Sequence, residues 1–390
     1  LADLPGRVRA ACEAAAMVGQ ESTELAEVEP VEADRPAELQ RDWRGVSMDE
    51  KVKLLSRYND ILLSAGEKIE TSRAIYSDGF RTVHFANTTG TAYREERPRL
   101  VLALLATARD GQLVQSAMET GAYTQSYDEV VGLEDEAQAA SRRAAALLTA
   151  PQPEGGAHSV VLNPKMAGVF VHEAFGHLSE ADFLYENPRM REQMHIGREI
   201  GVKQLNVVDD GSMAGMLGTQ GFDDEGTPTG TTYLIREGVL SGHLHSRETA
   251  AKMGEKPTGN ARAINRRHQP IVRMTNTYIE GGDTPVADLF KGVDDGIYAC
   301  DMFGGQTQME QFTFSAAYGY RIRNGEVAEL LRDVVLTGNV FETLNAIDGF
   351  GDDPQVLKAA GGCGKGGQAP LPVSFGSPHI RIQDVVIAGR

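Results

Sequence analysis

The 390-residue sequence predicts an α+β fold, with an N-terminal α/β part over residues 1–150 and a larger, mainly antiparallel, barrel-like C-terminal domain over 157–390 that carries a metal-binding helix. Three observations predict it. The length exceeds one ordinary core, so two or three domains are expected. Helical periodicity and β texture share the first part and end at Pro151-Gln-Pro-Glu-Gly-Gly156, which reads as a linker because its proline and glycine content breaks both helix and strand. Beyond residue 205 short alternating segments recur, two of them around the hairpin signals Glu237-Gly238 and Asn324-Gly325.

Taken in order, residues 1–20 read as an alanine-rich helix with Cys12 in a core position. Ser47-Met-Asp-Glu50 reads as a capping box, with Ser47 as N-cap and Glu50 reaching back to its amide. Val52, Leu55, Tyr58 and Leu62 then follow helical spacing to a stop near Gly66. From Thr71 to Ala106 the texture is β, with a turn at Asn87-Thr-Thr-Gly90 and a buried strand over Leu100–Leu105. Leu133–Thr149 is helical. Ser159–Leu162 reads as a strand, and Asn163-Pro164 as an N-cap with proline at the first helical position. His379–Ile387 is a final strand.

Composition narrows the function classes. Hydrophobic residues at 41% and charged residues at 24% are ordinary for a globular protein. A net charge of −17 repels phosphate backbones, which argues against direct nucleic-acid binding. No apolar run approaches the ~20 residues that span a bilayer, and no signal peptide is visible, so a cytoplasmic protein without membrane contact is expected. Cys12, Cys300 and Cys363 are too few and too far apart for a disulfide framework.

The richest chemistry lies in His172-Glu173-Ala174-Phe175-Gly176-His177, directly after an apolar run. Two imidazoles can hold zinc, and a carboxylate beside them can take a proton from water. The histidines are five residues apart. On a regular α-helix that step turns the second side chain about 140° away from the first. A π-type turn, bonding i to i+5, would realign them, and Gly176 would ease the distortion; the alternative is a helix with two incidental histidines. A third ligand is then required, and Cys363 is the best candidate. Glycines surround it, and Lys365 is placed to help keep the thiol deprotonated. The alternative there is a glycine loop with an inert thiol, and Cys300 is a reserve ligand.

These two motifs, His-Glu-x-x-x-His and a distant Cys-Gly-Lys-x-Gly-Gln, resemble the TldD/PmbA family of metallopeptidases. The resemblance runs on through Val207-Val-Asp-Asp-Gly-Ser-Met213, Asp223-Asp-Glu-Gly-Thr-Pro228, Pro257-Thr-Gly-Asn260 and Arg273-Met-Thr-Asn-Thr-Tyr278, in matching order from about residue 45 onward. It implies a zinc-dependent peptidase that cuts unfolded peptides, with His172, His177 and Cys363 as zinc ligands and Glu173 as general base. It also implies a homodimer or a heterodimer with a TldE-like subunit. Retention of all four residues resembles the TldD branch, since the TldE or PmbA branch lacks them. One departure is the strand-containing segment with which family members usually begin, which is not found here.

Glu180 and Asp182 are candidates to accept the free ring N–H of a zinc-bound histidine. Asp209, Asp210, Asp223, Asp224 and Glu225 lack the oxygen spacing of a calcium loop and read as surface turns. His195, His243, His245 and His268 read as structural or surface histidines. Two rival functions stand beside the peptidase: a non-catalytic regulatory or scaffolding subunit, in line with the older family label of DNA gyrase modulator, and a thiol hydrolase with Cys363 as nucleophile.

Overall fold

A computed structural model of the chain describes residues 3–18, 22–358 and 362–388. The helix Leu4–Val18 forms as its alanine content dictates but buries no residue. Cys12 is accordingly exposed, not in a core, because helix propensity alone supplies no apolar stripe for packing.

The first core is built on three long antiparallel strands, Ile69–Ala86, Ala92–Asp110 and Leu113–Tyr123, with the short Glu32–Arg35 added in parallel. Leu100, Leu102, Leu104, Ala106 and Ala108 are buried at every second position, the period of a sheet with one face inward. Helices Met48–Ser64 and Glu134–Leu147 cover that face through Tyr58, Leu62, Ala137, Ala140 and Ala144. At the start of the first helix, Ser47 Oγ accepts from the Glu50 amide at 3.2 Å. The reciprocal half of the capping box is missing, because the Glu50 carboxylate bonds to Arg41 at 2.6 Å instead.

The C-terminal region closes a five-stranded barrel. Its strands are Gly156–Leu162, Asp295–Gln308, Gln311–Arg323, Val335–Asn339 and Ile380–Ala388. Asp295–Gln308 pairs in parallel with Gly156–Leu162 and antiparallel with Gln311–Arg323, which completes the ring. A second sheet has the order Gln355–Leu357, Ser374–Ser377, Asn276–Ile279, Val207–Asp210, Thr231–Arg236, Val239–Leu240. Both hairpin turns carry two successive positive φ values, at Glu237 (49°) and Gly238 (76°), and at Asn324 (49°) and Gly325 (80°). That is the type I′ geometry matching strand twist.

The helix Pro164–Phe170 sits between barrel and second sheet. Asn163 caps it by accepting from the Met166 amide at 2.9 Å, and Pro164 fills the first turn. Phe170 meets Phe312 and Phe314 of the barrel edge-on, with ring centroids 5.4 and 6.2 Å away. On the opposite side Gly168 approaches the backbone of Gly376 in the second sheet. No helix among the described residues is long and apolar enough to cross a membrane.

The acidic clusters are not surface turns. Asp209 and Asp223 are fully buried. Asp209 accepts from Thr275 N, Thr275 Oγ1, Thr277 Oγ1 and Asn260 Nδ2, while Asp223 accepts from the amides of Glu225, Thr227 and Ala261. These carboxylates replace the backbone partners that irregular segments otherwise lack.

A Cβ at Gly168 would meet backbone at about 2.9 Å, so Gly168→Ala must push the helix off the sheet. It is expected to cost about 1–3 kcal/mol in denaturant unfolding. Gly79→Ala, which meets nothing within 4 Å, should change stability by less than about 0.5 kcal/mol.

Candidate metal centre

After Phe170 the backbone leaves α geometry. Val171–Gly176 forms a π-helical turn, and His177–Ser179 tightens into a 3-10 turn. The five-residue interval between His172 and His177 therefore spans one full turn, and both rings face the same side. Their centroids are 5.5 Å apart with planes at 78°. Gly176 plays a different part from the one its flexibility suggests. Its φ of −57° and ψ of −45° are ordinary right-handed values, and what requires glycine is space, since a Cβ would run into the Met274 side chain.

Cys363 arrives from the other end of the chain. It opens the short strand Cys363–Lys365, which pairs back on Gln368–Leu371 through Gly366 (φ 57°) and Gly367 (φ 74°). Gly362 before it holds φ 117°, a conformation that favours glycine. Ala360-Gly361, at the start of the predicted glycine loop, lies outside the described residues. The hairpin puts Sγ 3.3 Å from His177 Nε2, and the donor atoms of His172, His177 and Cys363 all lie within 4.8 Å of one another. Cys300 stays apart from this group, buried in the barrel wall, where burial and the nearby Asp301 push its thiol up to about 12.

Glu173 stands over the gap between the rings. Its carboxylate oxygens are 4.0 Å from His172 Nε2 and 3.8 Å from His177 Nε2. His172 and Cys363 are almost wholly buried, while Glu173 keeps 30% of its side chain exposed, so the group opens to solvent on the carboxylate's side.

Behind the rings lies a buried chain of charge. His177 donates from Nδ1 to Glu180 Oε2 at 2.9 Å, which leaves Nε2 facing Cys363. Glu180 is 1% exposed and takes a second partner, Lys365 Nζ, at 3.0 Å. Lys365 also bonds to Asp182 Oδ1 at 2.6 Å and to the Val272 carbonyl at 3.0 Å. Asp182 touches no histidine; its other oxygen accepts from the Val272 amide at 3.2 Å. Lys365 thus acts on the thiol only through Glu180 and His177, because its ammonium is taken up by two carboxylates. Burial opposes charge on Glu180, Cys363 and His177, and pairing overcomes it. Burial pushes Glu180 up, but His177 and Lys365 bring it down to about 2. Burial pushes Cys363 up, but hydrogen bonds from His172 and His177 bring its thiol down to about 5. Against the downward pull of burial, Glu180 and Cys363 hold the His177 imidazole well above its ordinary value.

Two imidazoles and a thiolate within reach of one point are the donor set of a zinc site with three protein ligands, and they suit magnesium and calcium poorly. The orienting carboxylate on His177 is the usual support of such a ligand. Sequence reasoning missed a second group, His243, His245 and Glu255, whose donor atoms also lie within 4.8 Å of one another. Its only signal was the His-x-His spacing. His195 and His268 are exposed.

Family models for the PmbA/TldA metallopeptidase central domain and C-terminal domain match residues 41–148 and 155–389. The chain belongs to the PmbA/TldA metallopeptidase family. Within this family it is 46% identical over 384 residues to a metalloprotease of Synechocystis sp., covering 98% of this chain and 83% of that one. A zinc metalloprotease TldD homolog of Saccharolobus solfataricus is 33% identical over 291 residues, 74% of this chain and 64% of the relative. Among solved structures, TldE from Thermococcus kodakarensis shares the fold at a TM-score of 0.74 and 18% identity, over 97% of this chain and 82% of that one. A Thermotoga maritima protein described as a modulator of a DNA gyrase has a TM-score of 0.76 at 21% identity, over 95% and 81%.

The sign of the thiol shift gives a direct check. A thiol whose folded value is depressed from 9.0 to about 5 contributes stability that is present above 9.0 and is lost as pH falls through 5. In metal-stripped protein, alkylation of Cys363 should therefore show its thiolate half-titrated near pH 5, and Glu180→Gln should move that midpoint upward. A midpoint near the ordinary thiol value would contradict the pairing.

Proposed function

We propose that this chain is a zinc-dependent peptidase that hydrolyses unfolded peptides in the cytoplasm, with His172, His177 and Cys363 as the metal ligands and Glu173 as general base. The observation that carries the reading is the placement of the Glu173 carboxylate, about equally far from both Nε2 atoms on the solvent-open side of the donor set. Zinc, when bound there, supplies a Lewis acid that polarises a carbonyl and acidifies water. The chain's own residues do the rest. Glu173 takes a proton from the attacking water and passes it to the departing amine. Glu180, pinned by Lys365, holds the His177 ring in the tautomer that keeps Nε2 free for coordination. Asp182 steadies Lys365 and so fixes the hairpin that carries Cys363.

A cleft of about 860 Å³ runs between the first sheet and the C-terminal region and reaches the Cys363 hairpin at Leu371 and Pro372. It touches none of His172, Glu173 or His177. An extended peptide laid there would pass Arg81, Arg97 and Gly79 of the first sheet and Gly215 and Ala263 of the C-terminal region. Backbone hydrogen bonding of such a strand explains tolerance of many sequences. The shared fold with a TldE supports pairing either with a second copy or with a TldE-like subunit.

A specific observation also favours the thiol-hydrolase reading: Cys363 Sγ lies 3.3 Å from an imidazole nitrogen. Glu173 has no part in that chemistry, and a scaffolding subunit has no use for it either. Glu173→Gln is expected to retain zinc while peptide turnover falls by about 100- to 10,000-fold. Measurement of metal content and cleavage of a short unfolded peptide on the same preparation checks both halves. Undiminished cleavage overturns the mechanism, and cleavage that survives complete chelation assigns the chemistry to the thiol.

A further inference from the structure

We propose that His243, His245 and Glu255 form a second binding site for a divalent transition metal such as zinc, separate from the centre at Cys363. The site stands on its own donor atoms and does not depend on the peptidase reading. His243 and His245 flank Leu244 after the hairpin strand Val239–Leu240, and Glu255 follows the left-handed Gly254 that ends the helix Arg247–Met253. Both rings are almost fully buried, at 3% and 1% exposure.

The hydrogen bonding leaves one nitrogen of each ring facing the Glu255 carboxylate. His243 donates from Nε2 to the Met194 carbonyl at 2.7 Å, since a carbonyl can only accept. In the neutral ring Nδ1 then carries a lone pair, yet it faces Glu255 Oε1 at 2.9 Å. Two acceptors at that distance repel unless a proton or a metal ion lies between them. His245 places Nδ1 3.1 Å from Thr249 Oγ1, which can donate to it or accept from it. Its Nε2 lies 3.1 Å from Glu255 Oε2 but off the line of a hydrogen bond, so this buried nitrogen has no hydrogen-bond partner. A proton on His243 would settle one of these contacts. One ion settles both, and the three donor groups lie within 4.8 Å of one another, the same span as His172, His177 and Cys363.

The two rings are 6.0 Å apart with planes at 76°, close to the 5.5 Å and 78° of His172 and His177. The carbonyl behind His243 is the kind of partner that fixes a ligating histidine. The Glu255 carboxylate faces both rings, at 2.9 Å from His243 Nδ1 and 3.1 Å from His245 Nε2. Its 27% exposure leaves a way in for the ion. The site lies directly behind the first one: Leu244 donates its N–H to the Ser179 carbonyl at 2.9 Å and accepts from the Ala181 amide at 3.0 Å, on either side of Glu180.

The test uses the full chain stripped by chelator and dialysed against zinc alone or cobalt alone. Two equivalents are expected for the unsubstituted chain, one for Glu255→Gln and one for Cys363→Ala. The cobalt spectra separate the sites: the ion left in Cys363→Ala should show ligand-field bands without thiolate charge transfer, and the ion left in Glu255→Gln should keep the charge transfer. If Cys363→Ala binds no metal, or Glu255→Gln still binds two, the proposal is overturned. Where a variant does not fold, the unsubstituted chain decides, because a single tight equivalent that carries thiolate charge transfer leaves no second site.

Discussion

Five residues separate two histidines whose rings meet on one side of the chain, and a straight α-helix cannot bring them together. The protein meets this constraint by widening a single turn, Val171–Gly176, between a capped helix and a 3-10 turn. Everything around that turn serves to hold it. Phe170 is fixed against two barrel phenylalanines, Gly168 lets the helix press on the second sheet, and Gly176 leaves room for Met274. A π-turn gives up regular backbone bonding, so tertiary packing has to compensate for it. The closed barrel on one side and the six-stranded sheet on the other supply that packing.

The second dependence is electrostatic. A buried thiolate and a buried carboxylate are each unfavourable alone. Here the charges alternate along one line from Lys365 through Glu180 and His177 to Cys363, and each neighbour offsets the burial of the next. Because Lys365 and Cys363 sit on the same hairpin, docking of that hairpin completes both ends of the line together. The thiol from the far end of the chain is thereby coupled to the orientation of the His177 ring.

Much of this was legible in the sequence, for physical reasons that can be named. The β period of Leu100–Ala108, the Asn-Gly hairpin at 324–325 and the Asn163-Pro164 cap are local signals, and local geometry follows from them. The spacing also offered a π-turn as the way to align the two histidines, beside a regular helix in which they are incidental. Other features were not, because they depend on partners distant in sequence. Glu50 turns from Ser47 to Arg41, and Lys365 turns from the thiol to Glu180 and Asp182. Asp209 and Asp223 look like surface acids until irregular backbone from residues 225–277 folds over them and fills their oxygens. His243 and His245 looked incidental because their third partner, Glu255, is brought near by a helix and a left-handed glycine.

The proposed function requires that two rings from the π-turn and one sulfur from the hairpin share one ion. Cadmium NMR on cadmium-substituted protein tests it most directly, since each bound ion gives its own resonance and couples to the protons of its ligands. The account predicts one resonance in the range of mixed sulfur and nitrogen ligation, coupled to the Cys363 β-protons and to imidazole protons of both His172 and His177. A spectrum in which no cadmium resonance couples to Cys363 together with those two rings would contradict it.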